Sequence, residues 1–153
     1  MSLRATRLSP RNRLRALVVD DSSTILYAIC SLLEHHKIVD VVGRAASGQE
    51  ALSQISSLRP DIVLMDADMP EMSGLRAALL LSRVSPRTRT VMMSMDDNPQ
   101  FRRSCQDCGA SAVIYKPKFL EELRTLLREE RQRAPVRVFP PRYTEAETVA
   151  MLK

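Results

Sequence analysis

The chain has 153 residues, 44% apolar and 27% charged, which is room for one ordinary domain with a real core and leaves none for a second full one. No apolar run nears the ~20 residues of a membrane helix, and no apolar signal core opens the chain, so a cytoplasmic protein without membrane contact is expected. The net charge of +5 is uneven: residues 1–15 hold five Arg and no acid, whereas residues 16–119 set 11 Lys/Arg against 12 Asp/Glu.

Residues 1–13 therefore read as a basic arm on a neutral body. Such an arm suits nucleic acid or an acidic partner, but without interleaved aromatics a solvated leader explains it better. Next, Leu14-Arg-Ala-Leu-Val-Val-Asp20-Asp21 is a strand that ends in two acids. Adjacent like charges are costly unless a cation shares the site. Ile25, Ile29, Leu32 and Leu33 form a helical stripe that ends near His35, His36 and Lys37, where positive charge is favoured.

Residues 39–45 form the second strand. Ser47 and Glu50 are a capping box that opens a helix with Ala51, Leu52, Ile55 and Leu58 on one face. Ile62-Val-Leu-Met-Asp66 is too short for a helix and reads as a strand buried on both faces, with Asp66 presented at its end. Pro70 and Gly74 punctuate the connection to a helix that Ser73 caps, with Leu75, Leu79, Leu80 and Val84 as its stripe.

Residues 90–94 form a fourth strand ending in the Ser94 hydroxyl, and Asp96-Asp97-Asn98-Pro99 leads into a weaker helix through Phe101 to Cys108. Gly109 stops that helix. Residues 112–116 are the fifth strand, ending at Lys116 before Pro117. Phe119, Leu120, Leu123, Leu126 and Leu127 mark a last helix to about residue 133.

Five strands alternate with five helices. Short right-handed crossovers make this an α/β, doubly wound parallel sheet in the flavodoxin-like order 2-1-3-4-5, with helices on both faces.

Three cysteines, Cys30, Cys105 and Cys108, are expected as reduced packing thiols. Cys105-x-x-Cys108 lacks the further ligands of a zinc site. Beyond the body, residues 134–153 combine a proline-containing linker with a short helical segment opened by Thr144 and Glu147.

In that sheet Asp20, Asp21, Asp66, Ser94 and Lys116 all fall at the carboxyl edge, where ligands collect. Carboxylates around one cavity suit Mg²⁺, while a hydroxyl and an ammonium supply donors for phosphoryl oxygens. Asp66 is then placed to act as a nucleophile toward phosphorus.

Leu17-Val-Val-Asp20-Asp21, Pro60 to Asp66 with Met69-Pro70 and Gly74, Ser94, and Gly109-Ala110 leading to Lys116-Pro117 match in order and spacing the motifs of another group of proteins. Over residues 14–133 the chain resembles the receiver domains of two-component response regulators, of the chemotaxis and LuxR types. The resemblance implies that Asp66 is the phosphoacceptor, and that Asp21, Asp66 and the backbone carbonyl of Asp68 hold Mg²⁺, with Asp20 assisting. It implies that Ser94 and Lys116 bind the phosphoryl group and act as the switch. A histidine kinase or phosphotransfer protein is the implied donor, and the face built from the fourth helix, fifth strand and fifth helix is the implied contact for an output protein or domain. A homodimer and a role in transcription regulation are compatible with this. Direct DNA binding by this chain is not expected, and neither is enzymatic activity of its own.

Two positions depart from the family. Val113 stands where many receivers carry an aromatic switch residue, and Met95 follows the switch hydroxyl where a small residue is usual. Asp68 adds negative charge beside the site. Two alternatives stay open at this level. Asp66-Ala-Asp68 resembles the signature of haloacid-dehalogenase-like phosphatases, whose second acid serves as general acid and base. A degenerate receiver that only docks is the other.

Overall fold

The computed structural model describes residues 13–132. The basic arm up to residue 12, the linker and the C-terminal helical segment lie outside the described residues.

Five strands, β1 (Arg15–Val19), β2 (Asp40–Ala45), β3 (Ile62–Asp66), β4 (Arg89–Ser94) and β5 (Ala112–Tyr115), alternate with α1 (Ser23–His36), α2 (Gly48–Leu58), α3 (Gly74–Val84), α4 (Pro99–Asp107) and α5 (Phe119–Gln132). The strands are parallel, in the order β2-β1-β3-β4-β5. This is the expected architecture. β3 therefore lies in the middle of the sheet, and its apolar run is buried from end to end, Asp66 included.

Strand alternation splits the core in two. On one face Leu17, Val19, Val63, Met65, Met92 and Val113 pack beneath α2, α3 and α4. On the other, Ala16, Val18, Leu64, Val91, Met93 and Ile114 meet α1 and α5. Each fully buried Leu or Met among them contributes about 1.5–3 kcal/mol of transfer free energy. These two layers hold the strand ends rigid on either side of the site.

The helix boundaries have local causes. Ser22 Oγ accepts from the Ile25 amide, Ser47 Oγ from Glu50, Ser73 Oγ from Arg76, and Asn98 Oδ1 from Gln100 and Phe101. The box at Ser47 closes one residue early: Glu50 Oε2 accepts from the Ala46 amide rather than from Ser47 itself. Gly109 ends α4 with φ of +86°, and a Cβ there would lie 2.7 Å from Ser82 Cβ.

Most of the two expected stripes faces the core, Ile29, Leu32 and Leu33 in α1 and Leu75, Leu80 and Val84 in α3, but one residue of each does not pack fully. Ile25 is 40% exposed, and the core side of α1 runs through Ile29, Cys30 and Leu33, with Leu26 and Leu32 partly buried. In α3 the fully packed residues are Ala77, Ala78, Leu80 and Leu81 rather than Leu79. Helices running over a parallel sheet present about 100° of surface to it, and where several apolar residues compete, contact with the strands chooses among them.

Candidate functional site: an acidic cluster at the carboxyl edge of the sheet

The strand order reverses between β1 and β3, so the carboxyl ends of these two strands frame the crevice where a doubly wound sheet takes its ligand. Asp20 follows β1 directly and Asp66 closes β3. Both are almost fully buried, at 1% and 4% exposure. Asp21 is exposed at the mouth. Carboxylate oxygens of Asp20, Asp21 and Asp66 lie within 4.8 Å of one another.

Lys116, the first residue after β5, spans this cluster. Its Nζ is 3.0 Å from Asp20 Oδ2 and 2.9 Å from Asp66 Oδ1. The fifth strand ends at Tyr115 rather than at Lys116, which opens a short 3₁₀ turn (Lys116–Lys118) that Pro117 favours. That turn aims the lysine back across two strands. Asp20 Oδ1 also accepts from the Ser22 amide at 3.0 Å, which ties the carboxylate to the start of α1.

Burial pushes the Asp66 carboxyl above its ordinary value of 3.8, and the hydrogen bond and charge of Lys116 only partly oppose it. For Lys116 burial works against the ammonium, but hydrogen bonds and charge from Asp66 and Asp20 outweigh it and raise the pKa. The lysine is thus a firmly charged partner within a cluster that carries excess negative charge. That excess suits a divalent cation: three carboxylates converging on one point are an oxygen donor set for a hard ion such as Mg²⁺.

Ser94 ends β4 and is 1% exposed. Met93 pairs in register with Asp66, and the Ala67 amide donates to the Met93 carbonyl at 3.0 Å, so Ser94 stands at the same edge one residue beyond Asp66. Its Oγ accepts from the Asp96 amide at 2.9 Å, which keeps the hydroxyl's own proton as a donor. Asp68 is exposed, and its amide, 3.5 Å away, faces Asp66 Oδ1. Met95 is 64% exposed, so most of its surface faces solvent.

The loop after β3 leaves no slack. The Gly74 amide donates to the Ala67 carbonyl at 3.1 Å, and a Cβ on Gly74 would lie 2.1 Å from the Asp66 carbonyl oxygen. Glycine at this position is what lets α3 start against the acid-bearing strand.

Sequence reasoning thus located every residue of the cluster. It passed over Arg102, whose guanidinium pairs with Asp97 and also donates to the Val113 carbonyl at 3.2 Å. Their opposite charges, five residues apart across a helix start, were the available signal. The Val113 side chain is buried among Met92, Cys105 and Phe101 on the face beneath α4. Cys105 on α4 is buried and Cys108, just past the helix end, is partly so, both as free thiols. His36, at the end of α1, meets Arg124 of α5 across the surface at 3.3 Å.

A five-stranded doubly wound sheet with buried acids after its first and third strands and a lysine after its fifth defines a class of phosphate-handling signalling domains. The chain belongs to the response regulator receiver domain family, whose model matches residues 16–128. Phosphorylation on an aspartate is the general function of that family, as is partnership with histidine kinases or phosphotransfer proteins and with output domains. Its members bind Mg²⁺ at an acidic aspartate cluster.

The chain is 41% identical over 105 residues to a protein-glutamate methylesterase/protein-glutamine glutaminase of Alkalilimnicola ehrlichii, a match covering 68% of this chain and 27% of that protein. It is 32% identical over 116 residues to the response regulator GacA of Pseudomonas aeruginosa, covering 76% of this chain and 54% of GacA. It thus spans about a quarter to a half of the length of these relatives. Among solved structures, the response regulator domain of Thermotoga maritima CheB superposes with a TM-score of 0.68 at 29% identity, covering 84% of this chain and 99% of that one. Among the described residues no helix is long and apolar enough to cross a membrane.

Proposed function

We propose that Asp66 is the phosphoacceptor of this receiver domain. The observation that carries the reading is the bridge from Lys116 Nζ to both Asp20 and Asp66, with Asp21 completing the three-carboxylate cluster. A carboxylate oxygen of Asp66 attacks phosphorus, the bond from phosphorus to the donor's imidazole nitrogen breaks, and that nitrogen takes up a proton as the acyl phosphate forms.

Asp20, Asp21, Asp66 and the Asp68 carbonyl would hold Mg²⁺. The ion would neutralise charge on the phosphoryl oxygens. Lys116, already at the acceptor, pairs with a phosphoryl oxygen, and the Ser94 hydroxyl donates to another. Near-complete burial of Asp20 and Asp66 limits competing water.

The donor in this reading is a histidine kinase or phosphotransfer protein. The output contact is the face of α4, β5 and α5, which carries a groove of about 250 Å³ that Val113, Thr125 and Leu126 help to line. Residues 14–133 form the receiver, flanked by the arm of residues 1–13 and the segment 134–153. The protein works in the cytoplasm, as a switch without an enzymatic activity of its own. The phosphatase reading is disfavoured because Asp68, which would have to be its general acid and base, is exposed and faces Asp66 with its backbone amide.

Intact mass during incubation with acetyl phosphate and Mg²⁺ tests the assignment. A single-phosphate adduct that disappears in Asp66→Asn is expected. Steady phosphate release without an adduct would point to a phosphatase, and an unchanged adduct in Asp66→Asn would move the acceptor elsewhere.

A further inference from the structure

Val113 leaves the fifth strand without the aromatic residue that many receivers use to report the state of the site. Among the described residues, a different connection runs from the site to the groove. Ser94 Oγ accepts from the Asp96 amide at 2.9 Å, and Asp96 Oδ1 in turn accepts from the Asn98 amide at 2.9 Å. The side chain between them in sequence, Asp97, pairs with the Arg102 guanidinium through both its Nε and its Nη2. The same guanidinium donates from Nη1 to the Val113 carbonyl at 3.2 Å, and Arg102 and Val113 both line the groove. One arginine therefore joins the loop that starts at the site hydroxyl to the strand that floors the output face.

We infer that Arg102, clasped between Asp97 and the Val113 carbonyl, is the residue that carries the state of the Ser94 hydroxyl to the groove. This rests on the phosphoacceptor reading above. With Asp66 unmodified, the Ser94 oxygen holds the Asp96 amide and the loop presents Asp97 to Arg102. When the Ser94 side chain swings to bring its hydroxyl to a phosphoryl oxygen, its oxygen moves away from the loop and the Asp96 amide loses its acceptor. The loop then shifts, Asp97 withdraws, and Arg102 leaves its position over β5. The groove changes shape and charge together, because a cation departs from a wall that also carries Glu121, Glu122 and Glu129. Such a clasp is a two-state element that the site biases, which is what coupling between distant sites requires. A half-exposed ion pair with one charge-assisted hydrogen bond biases the equilibrium by roughly three- to tenfold.

The test follows the amides of Val113, Thr125 and Leu126 by ¹H–¹⁵N spectra in Mg²⁺, with and without beryllofluoride as phosphoryl mimic, beside the rate of adduct formation with acetyl phosphate. In the full chain the mimic shifts the groove amides. In Arg102→Met, and independently in Asp97→Asn, which alters only the exposed end of the clasp, that response is largely lost while the adduct forms at the wild-type rate. Full groove response in both variants with a normal adduct overturns the clasp and leaves the phosphoacceptor assignment standing. Absence of any adduct in the wild-type chain removes the assignment and the clasp with it.

Discussion

Lys116 Nζ stands 2.9 Å from Asp66 Oδ1 while also lying 3.0 Å from Asp20 Oδ2, so one ammonium serves two nearly buried carboxylates. Removing it leaves both acids without their nearest positive charge. Lys116→Met is expected to lower stability by about 3 kcal/mol in chelator, the scale of breaking a buried ion pair. The same substitution removes a cation that repels Mg²⁺, so Mg²⁺ binding tightens by roughly tenfold or more. Urea unfolding with and without Mg²⁺ checks both: the variant's deficit should shrink as the ion is added.

The raised pKa of Asp66 makes a statement about pH. A carboxyl whose pKa is higher in the folded chain than in the unfolded one binds more protons when folded, so its contribution is full below the ordinary value of 3.8 and is lost as pH rises through the raised one. Without divalent ions, wild-type stability should therefore fall across that acidic window relative to Asp66→Asn, whose amide does not titrate. Thermal melts of the two proteins in chelator give the difference directly. Identical pH slopes would mean that burial does not govern this carboxyl.

Gly74→Ala places a methyl group 2.1 Å from the Asp66 carbonyl oxygen and 2.9 Å from Ala67 Cα, both parts of the backbone. Neither can yield without moving the start of α3 away from β3. A loss of about 3 kcal/mol is expected, at the upper end of overpacking costs. Adduct formation at Asp66 should slow as well, since the shift displaces the acceptor. Chemical denaturation and the acetyl phosphate assay read the two effects.

Ser94→Ala removes the oxygen that accepts from the Asp96 amide and the hydroxyl proposed to bind a phosphoryl oxygen. The adduct should still form, because the attacking carboxylate and Lys116 remain. The groove response to beryllofluoride should be lost. A variant that fails to form the adduct would place Ser94 in the transfer step itself.

The cysteines offer a simpler check. Burial, together with the neighbouring Cys108, raises the Cys105 thiol to about 11, and burial also raises Cys30. Thiolate is the reactive form, so native labelling near neutral pH should modify the half-buried Cys108 well before the other two. Equal rates at all three would mean that α4 and α1 open readily.

The agreement between sequence and structure has a local origin. An apolar run of four ending in Asp66, a double acid after Leu17 to Val19, and a lysine before Pro117 are each legible within a few residues, because strand length and turn residues are short-range signals. The placement of one residue in each of the α1 and α3 stripes was not. Ile25 and Leu79 are apolar and suitably spaced, yet contact with the sheet selected Leu26 and Leu81. Arg102 was only half legible: its opposite charge to Asp97 can be read locally, but the Val113 carbonyl it also reaches lies eleven residues away on another element.

By itself, the sequence determined that five strands alternate with five helices and that three acids, a hydroxyl and a lysine stand at strand ends, because periodicity and punctuation are written locally. The tertiary structure decided that Lys116 bridges Asp20, 96 residues away, and Asp66 at once, that burial holds the Asp66 carboxyl high, and that Arg102 ties Asp97 to Val113. Those facts depend on sheet order, on side-chain direction and on how much water remains, which exist only once the strands have been laid side by side.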